Sequence, residues 1–238
     1  MTTTRILPCG DSALTVEFGD LIDPVINDRV VALDRLIAAH AIDGVIETVP
    51  TYRSLLVCFD PRVTAFDPLA RQIAAMTETP PDAVDRGRHW RVPVVYGGAS
   101  GADLDHIAAR AELSTAEVIE LHAAPVYRVS MLGFTPGFAY LGGLDERLAT
   151  PRRPEPRPST PSGTISIGGA QTAIQCLAGP SGWHLIGRTP VRTFSPERAP
   201  VFLIDAGDHI SFAPIHEREW AALERDAAAG LPVAELIR

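Results

Sequence analysis

The stretch TISIGGAQTAIQCLAGPSGWHLIGRTP, residues 164–190, holds three apolar runs separated by glycine and proline. TISIG (164–168), TAIQCL (172–177) and WHLIG (183–187) are too short for ordinary helices, and turn residues bound them, so they predict β-strands with glycine corners. Working outward, WRVPVVY (90–96), VYRVSML (126–132), VFLID (201–205) and HISFAP (209–214) read the same way. Many short strands between turn signals predict a closed or nearly closed β-barrel over residues 90–216. Two helices interrupt them: a short one around 103–110, and one opened by Ser114 and Glu117, whose S-x-x-E spacing is a capping box. EREWAALERDAAAG (217–230) reads as an exposed helix, making 217–238 a C-terminal helical tail.

The first third reads differently. ALTVEF (13–18) alternates like a strand. Asp23 then supplies an N-cap, with Pro24 at the first helical position. Ile26, Val30, Leu33 and Ile37 follow on one helical face. VIETV (45–49) and SLLVCF (54–59) predict two strands, and Asp67-Pro68 opens a helix carrying Leu69, Ile73 and Met76. The order β-α-β-β-α predicts a small α+β domain over 1–80, ferredoxin-like in arrangement. The polar, proline-containing stretch 78–89 predicts a linker, placed at 81–89.

With 238 residues, 46% hydrophobic and 21% charged, the chain has the composition of a globular protein with a sizeable core. A formal charge of −8 disfavours nucleic acid as a partner. All 21 basic residues are arginine. Lysine chemistry is therefore excluded on this chain: no Schiff base, no P-loop lysine, no biotinyl-lysine. Cys9, Cys58 and Cys176 are too few and too scattered for a disulfide scaffold or a Cys-based zinc site. The histidines lack metal-ligand spacing, so no protein-bound metal is expected. No run reaches the length of a membrane span and the N-terminus lacks an apolar leader, which predicts a cytoplasmic protein.

Four clusters are candidates for chemistry. MLGFTPGFAYLGG (131–143) crowds Gly133 and Gly137 with Phe134, Pro136, Phe138 and Tyr140, where supple backbone lets a ligand come close and rings pack against it. On the pattern alone, the plainer reading is a loop crossing a barrel mouth with its rings plugging the end of the core. Arg152 and Arg153, with Arg157 nearby, lie in the Pro-rich segment 150–163 and offer planar forks suited to carboxylate or phosphate. The third cluster holds Gly169, Gln171, Thr172, Trp183 and Arg188. The fourth is His122 at a helix C-terminus, either a dipole partner or a proton-transfer group. G-x-S-x-G, G-x-G-x-x-G and H-E-x-x-H are absent.

Taken in order, LHAAPVYRVSMLGFTPGFAYLGGLDERLATPRRPEPRPSTPSGTISIGGAQTAI and GPSGWHLIGRTP resemble the KipI / allophanate hydrolase subunit 1 family, and GDSALTVEFGD and GVIETVPTYRSLLVCFDP resemble its N-terminal part. The resemblance spans residues 5 to about 215. It implies a small N-terminal α+β domain followed by a cyclophilin-like β-barrel. It also implies work alongside a KipA-like protein, the C subunit of 5-oxoprolinase, together with the A subunit of that enzyme. The implied activity is ATP-dependent opening of the 5-oxoproline lactam to glutamate, by an assembly in which this chain alone is inactive. Which chain holds ATP is left open. Two alternatives travel with the family: inhibition of a sensor histidine kinase, and partnership in a biotin-dependent carboxylase or allophanate hydrolase system, where biotin would ride on another chain. Family motif positions fall on the glycines, aromatics and arginines named above. His122, Gln171 and Arg188 are implied as catalytic candidates. Phe134, Pro136, Gly137, Phe138, Tyr140, Arg152, Arg153, Gly169, Thr172 and Trp183 are implied as substrate-binding ones. Gln175-Cys176 departs from the Tyr-Pro that relatives commonly carry there.

Overall fold

A computed structural model describes residues 4–78, 87–231 and 233–237. The chain divides into two compact units, Met1–Arg86 and Gly87–Arg238. Residues 81–86 of the expected linker lie outside the described residues, while 87–89 belong to the second unit and lead into its first strand.

The first unit contains β1 (Arg5–Pro8), β2 (Ala13–Glu17), α1 (Pro24–His40), β3 (Val45–Pro50), β4 (Ser54–Phe59) and α2 (Phe66–Thr77). Its four strands form an antiparallel sheet in the order β1-β2-β4-β3. The alternation in ALTVEF buries Leu14, Val16 and Phe18, against Val30, Leu33 and Ile37 of α1 and Leu69 and Ile73 of α2. Asp23 caps α1 as its position predicts, its Oδ1 accepting from Val25 N at 2.7 Å and Ile26 N at 3.2 Å. The expected order omitted β1, a four-residue strand ending in proline, which carries little periodicity of its own.

The second unit is a barrel. Its strands are β5 (His89–Tyr96), β6 (Tyr127–Leu132), β7 (Ala139–Gly142), β8 (Arg157–Thr160), β9 (Thr164–Gly168), β10 (Gln171–Gln175), β11 (Gly179–Ser181), β12 (His184–Arg188), β13 (His209–Pro214) and β14 (Glu235–Leu236). Seven close on themselves in the order β12-β9-β10-β7-β6-β13-β5, with β5 pairing back to β12. The β13–β5 pair is parallel and the others antiparallel, so the barrel is mixed. Closure removes free edges along the ring. Tyr127, Val129, Leu141, Ile165, Ile167, Ile174 and Ile186 fill the interior at 0% exposure. Helices α3 (Leu104–Ala111) and α4 (Thr115–Ala123) add Leu104, Ile107 and Val118 to the same core. The predicted capping box of α4 is present: Glu117 N donates to Ser114 Oγ at 3.3 Å and Ser114 N to Glu117 Oε2 at 2.8 Å.

Two expectations need correction. VFLID (201–205) forms no strand; Phe202 makes one isolated bridge to Phe194, while Leu203 and Ile204 are buried from a loop. A short apolar run satisfies burial without a ladder, so the pattern alone does not settle its conformation. The segment 217–238 is not all helix. After α5 (Glu217–Ala228) the chain returns to pair β14 with β5, Ile237 N donating to His89 O at 2.8 Å. The Pro-rich segment carries a strand, β8, paired with β11 in a ribbon separate from the barrel. Among the described residues no helix is long and apolar enough to cross a membrane.

Candidate functional site

The site begins with the two-residue period of β7 and β10. Ala139 and Leu141 of β7 and Ile174 of β10 belong to the barrel core, so Tyr140 and Ala173, register partners across the two strands, face the other way. There they join Phe138 and Trp183 in a second, smaller apolar cluster on the outside of the wall. Phe138 and Tyr140 rings lie 4.7 Å apart, and the Trp183 indole stands perpendicular to Phe138 at 6.2 Å and at 72° to Tyr140 at 5.9 Å. These are the offset and edge-on arrangements that ring quadrupoles prefer. The indole lies against Gly168, where an added Cβ would come within 2.4 Å of the ring. Any larger residue there displaces Trp183.

The turn 133–138 sets the rim. Gly137 has φ +72°, and a Cβ on it would stand 2.6 Å from that of Phe194, so glycine is required. Phe134 holds φ +68° and is 64% exposed, its ring 5.7 Å from Phe138. A bulky residue in left-handed backbone, with its ring in solvent, is a local cost of about 1–3 kcal/mol that packing does not offset.

The Pro-rich segment forms the opposite wall. Thr150 and Gly169 exchange backbone hydrogen bonds at 3.0 and 2.7 Å, and Arg153 N donates to Gly182 O at 2.7 Å. His184 Nε2 donates to Pro151 O at 2.9 Å, which fixes its tautomer. Burial holds His184 below the usual histidine range, partly offset by that bond. The resulting cleft has a volume of about 340 Å³, between Phe134, Phe138, Tyr140 and Trp183 on one side and Arg152, Arg153 and Pro156 on the other.

Charge in the cleft is organised by Asp103, a buried carboxylate. Arg157 clasps it with both terminal nitrogens, at 2.7 and 2.8 Å, and Arg153 reaches it at 3.4 Å. Leu185 N donates to it at 2.8 Å. Burial pushes this carboxyl upward, but the Arg157 fork and the Leu185 N–H outweigh burial and hold it below its ordinary value. Arg152 differs: its guanidinium lies 5.6 Å from the Trp183 ring centroid, within cation–π range, and among the described residues no ion pair ties it to a carboxylate. Burial raises the Tyr140 phenol, and the charge of Arg152 opposes that rise.

Other expected residues lie elsewhere. His122 is 0% exposed inside the barrel. Its Nδ1 lies 2.8 Å from Tyr96 Oη and its Nε2 2.9 Å from Thr172 Oγ1, and its ring stacks on Phe212 at 4.8 Å. Because Thr172 Oγ1 donates to Ser166 O at 3.1 Å, it accepts from His122 Nε2–H, and Tyr96 donates to Nδ1. Burial depresses this histidine to about 3, so it is neutral. Thr172 thus points inward with His122. Gly169 spends its N–H on Thr150. Gln171, half-buried, pairs with Gly168 at the start of β10 and does not line the cleft. Pro136 and Gly137 shape the rim turn without lining the cleft. Arg188 donates to Ser162 O at 3.1 and 3.2 Å and packs over Trp220 at 4.8 Å. Gln175 is buried, accepting from Thr160 Oγ1 at 3.0 Å and donating to Leu177 O at 3.0 Å, so the departure from the family pattern falls off the cleft.

Sequence reasoning missed Asp103. It occupies the N-cap position of α3 and reads as an ordinary cap, yet its side chain makes no cap hydrogen bond and turns to the arginines instead. No spacing signal joins residue 103 to residue 157; only the fold does.

A closed mixed barrel with an aromatic, arginine-edged cleft on its outer wall, preceded by a four-stranded α+β unit, defines a class. The chain belongs to the family described as carboxyltransferase domain, subdomain C and D, whose model matches residues 4–204. This agrees with the resemblance to the KipI / allophanate hydrolase subunit 1 family. Within it, a Bacillus subtilis protein named as the B subunit of 5-oxoprolinase is 37% identical over 234 residues, 94% of this chain and 98% of that protein. The crystal structure of TTHA0988 is similar with TM-score 0.78 and 34% identity, covering 86% of this chain; the match spans only 40% of that chain's length. The Kluyveromyces lactis urea carboxylase matches 98% of this chain and 24% of its own at TM-score 0.79 and 20% identity, a likeness of fold alone.

Proposed function

We propose that this chain is the B subunit of a heteromeric 5-oxoprolinase, an ATP-dependent assembly that opens the 5-oxoproline lactam to glutamate together with the A and KipA-like C subunits of that enzyme. The observation that carries the reading is the cleft, where the aromatic side chains of Phe134, Phe138, Tyr140 and Trp183 line one side and Arg152 and Arg153 the other. A small lactam ring with one carboxylate calls for an apolar face beside a fixed cation. The near end-to-end match to a protein of that name supports it.

The lactam amide is resonance-stabilised and reacts slowly with water; activation of its carbonyl is what ATP supplies to such an assembly. Arg153 and Arg157 are turned to Asp103, and Arg152 is the cleft's cation without a carboxylate partner among the described residues. We assign the holding of the lactam to this chain. His122, neutral and sealed, is assigned to the fold and not to proton transfer.

The test is co-expression with the A and C subunits, then assay of glutamate release from 5-oxoproline with ATP. Release is expected from the full set and not from this chain alone. A well-folded full set that releases no glutamate overturns the reading.

A further inference from the structure

The cleft presents two guanidinium groups at its wall and a third just behind, and the sequence offers no reason to prefer one. The geometry points to a division of labour: Arg152 takes the anionic group of a small flat carboxylate ligand, while Arg153 and Arg157 staple the loop that presents it. This deepens the reading of the cleft as a lactam-acid site and rests on it.

Three observations carry the assignment. The first is charge. Asp103, 8% exposed at its side chain, is clasped by Arg157 at 2.7 Å and reached by Arg153 at 3.4 Å, so both of those side chains are already turned to a carboxylate of the protein. An incoming carboxylate on Arg153 would compete with Asp103 at short range. Arg152 has no such competitor among the described residues.

The second is rigidity. The backbone on both sides of Arg152 is fixed: His184 Nε2 holds Pro151 O at 2.9 Å, and Gly182 O holds Arg153 N at 2.7 Å. Thr150, one residue further back, is bridged to Gly169. An exposed arginine on a pinned backbone loses less freedom on binding than one on a loose loop.

The third is placement. The Arg152 guanidinium lies over the buried Trp183 ring, 5.6 Å from its centroid, and lines the same cleft as Phe134 and Tyr140, so a ligand ring entering beside those two side chains brings its carboxylate to that guanidinium.

The experiment is calorimetric titration of the purified full chain with 5-oxoproline, benzoate and uncharged 2-pyrrolidinone as probes. Arg152→Ala is expected to weaken carboxylate binding about 10- to 100-fold, the size of a lost charge-assisted hydrogen bond, with the melting temperature unchanged. Arg152→Lys, which keeps charge and loses the fork, falls between. Arg153→Ala, which loosens the loop but leaves Arg152 in place, is expected to weaken affinity clearly less than Arg152→Ala does; if it melts too low, Arg153→Lys replaces it. 2-Pyrrolidinone is expected to bind weakly and equally to wild type and Arg152→Ala. Wild-type affinity in Arg152→Ala overturns the assignment, as does an equal loss in a folded Arg153 variant. Wild-type protein that binds none of the carboxylates overturns it too. Binding of benzoate but not 5-oxoproline, still lost in Arg152→Ala, upholds the assignment and overturns the 5-oxoprolinase reading alone.

Discussion

Two regions of the second unit contrast sharply: the sealed group around His122 and the open cleft around Trp183. Both gather aromatic rings, and both hold polar residues that the sequence offers as chemistry. A single step along β10 separates them, since Thr172 faces inward to His122 and Ala173 outward to Tyr140 and Trp183. Inside, every hydrogen bond of the imidazole closes on the protein, and burial keeps it neutral. Outside, a cation is left facing solvent over an indole. Residue type does not assign role; the phase of a strand does, because it decides whether a polar group is answered from within or left to be answered by a ligand.

The contrast can be broken from the inside first. His122→Ala takes away the shared partner of Tyr96 and Thr172 and leaves a cavity, so a loss of about 3–5 kcal/mol is expected by urea denaturation. Ligand affinity of the folded fraction should not change. A stable His122→Ala protein with weakened 5-oxoproline binding would make the interior part of the site.

The same histidine gives a pH test. Its folded value, about 3, lies below the ordinary 6.5, so the unfolded chain binds the extra proton between those limits. Stability then rises with pH there and is lost as pH falls from 6.5 toward 3, by at most about 1.4 kcal/mol per unit. Between pH 7 and 5 the loss is about 2 kcal/mol. His184, also depressed by burial, acts in the same direction. Asp103, whose carboxyl is held below its ordinary value, adds a loss only at lower pH, as pH falls past the ordinary carboxylate range. Denaturation midpoints at pH 7 and 5 check this, and a flat profile contradicts a neutral buried His122.

On the outside, Trp183→Ala is expected to weaken ligand binding about tenfold by removing the ring over which Arg152 is held. Because the ring is packed on Phe138 and Gly168, some stability is lost with it, and melting separates the two effects. Phe134→Gly is the smallest change. It relieves a left-handed backbone at an exposed ring and should raise stability by up to about 1 kcal/mol. Affinity should fall at the same time if that ring covers the ligand, and both are read in one melting and titration series.

Much of this was legible in the sequence. The strands flanking Gly168-Gly169, the Ser114–Glu117 box and the Asp23 cap appear where local patterns place them. The cleft's aromatics and arginines were recognisable as types. Their grouping was not, because Tyr140 and Trp183 meet across the barrel wall through register, which no local pattern encodes. β7 was hidden among glycines, and β14 is two residues long. Arg188 and Arg152 look alike on paper; only the fold turns one to Trp220 and the other to Trp183.

That accident of placement supplies the most direct measurement. The chain's three tryptophans report on three places: Trp90 in the barrel core with its Nε1 on Asp208, Trp220 beside Arg188, and Trp183 in the cleft. With 5-fluorotryptophan incorporated, titration by 5-oxoproline should move the Trp183 resonance and leave the other two in place, and in Arg152→Ala the Trp183 shift should vanish over the same ligand range. A shift confined to Trp220 or Trp90, with Trp183 unmoved, would contradict the account.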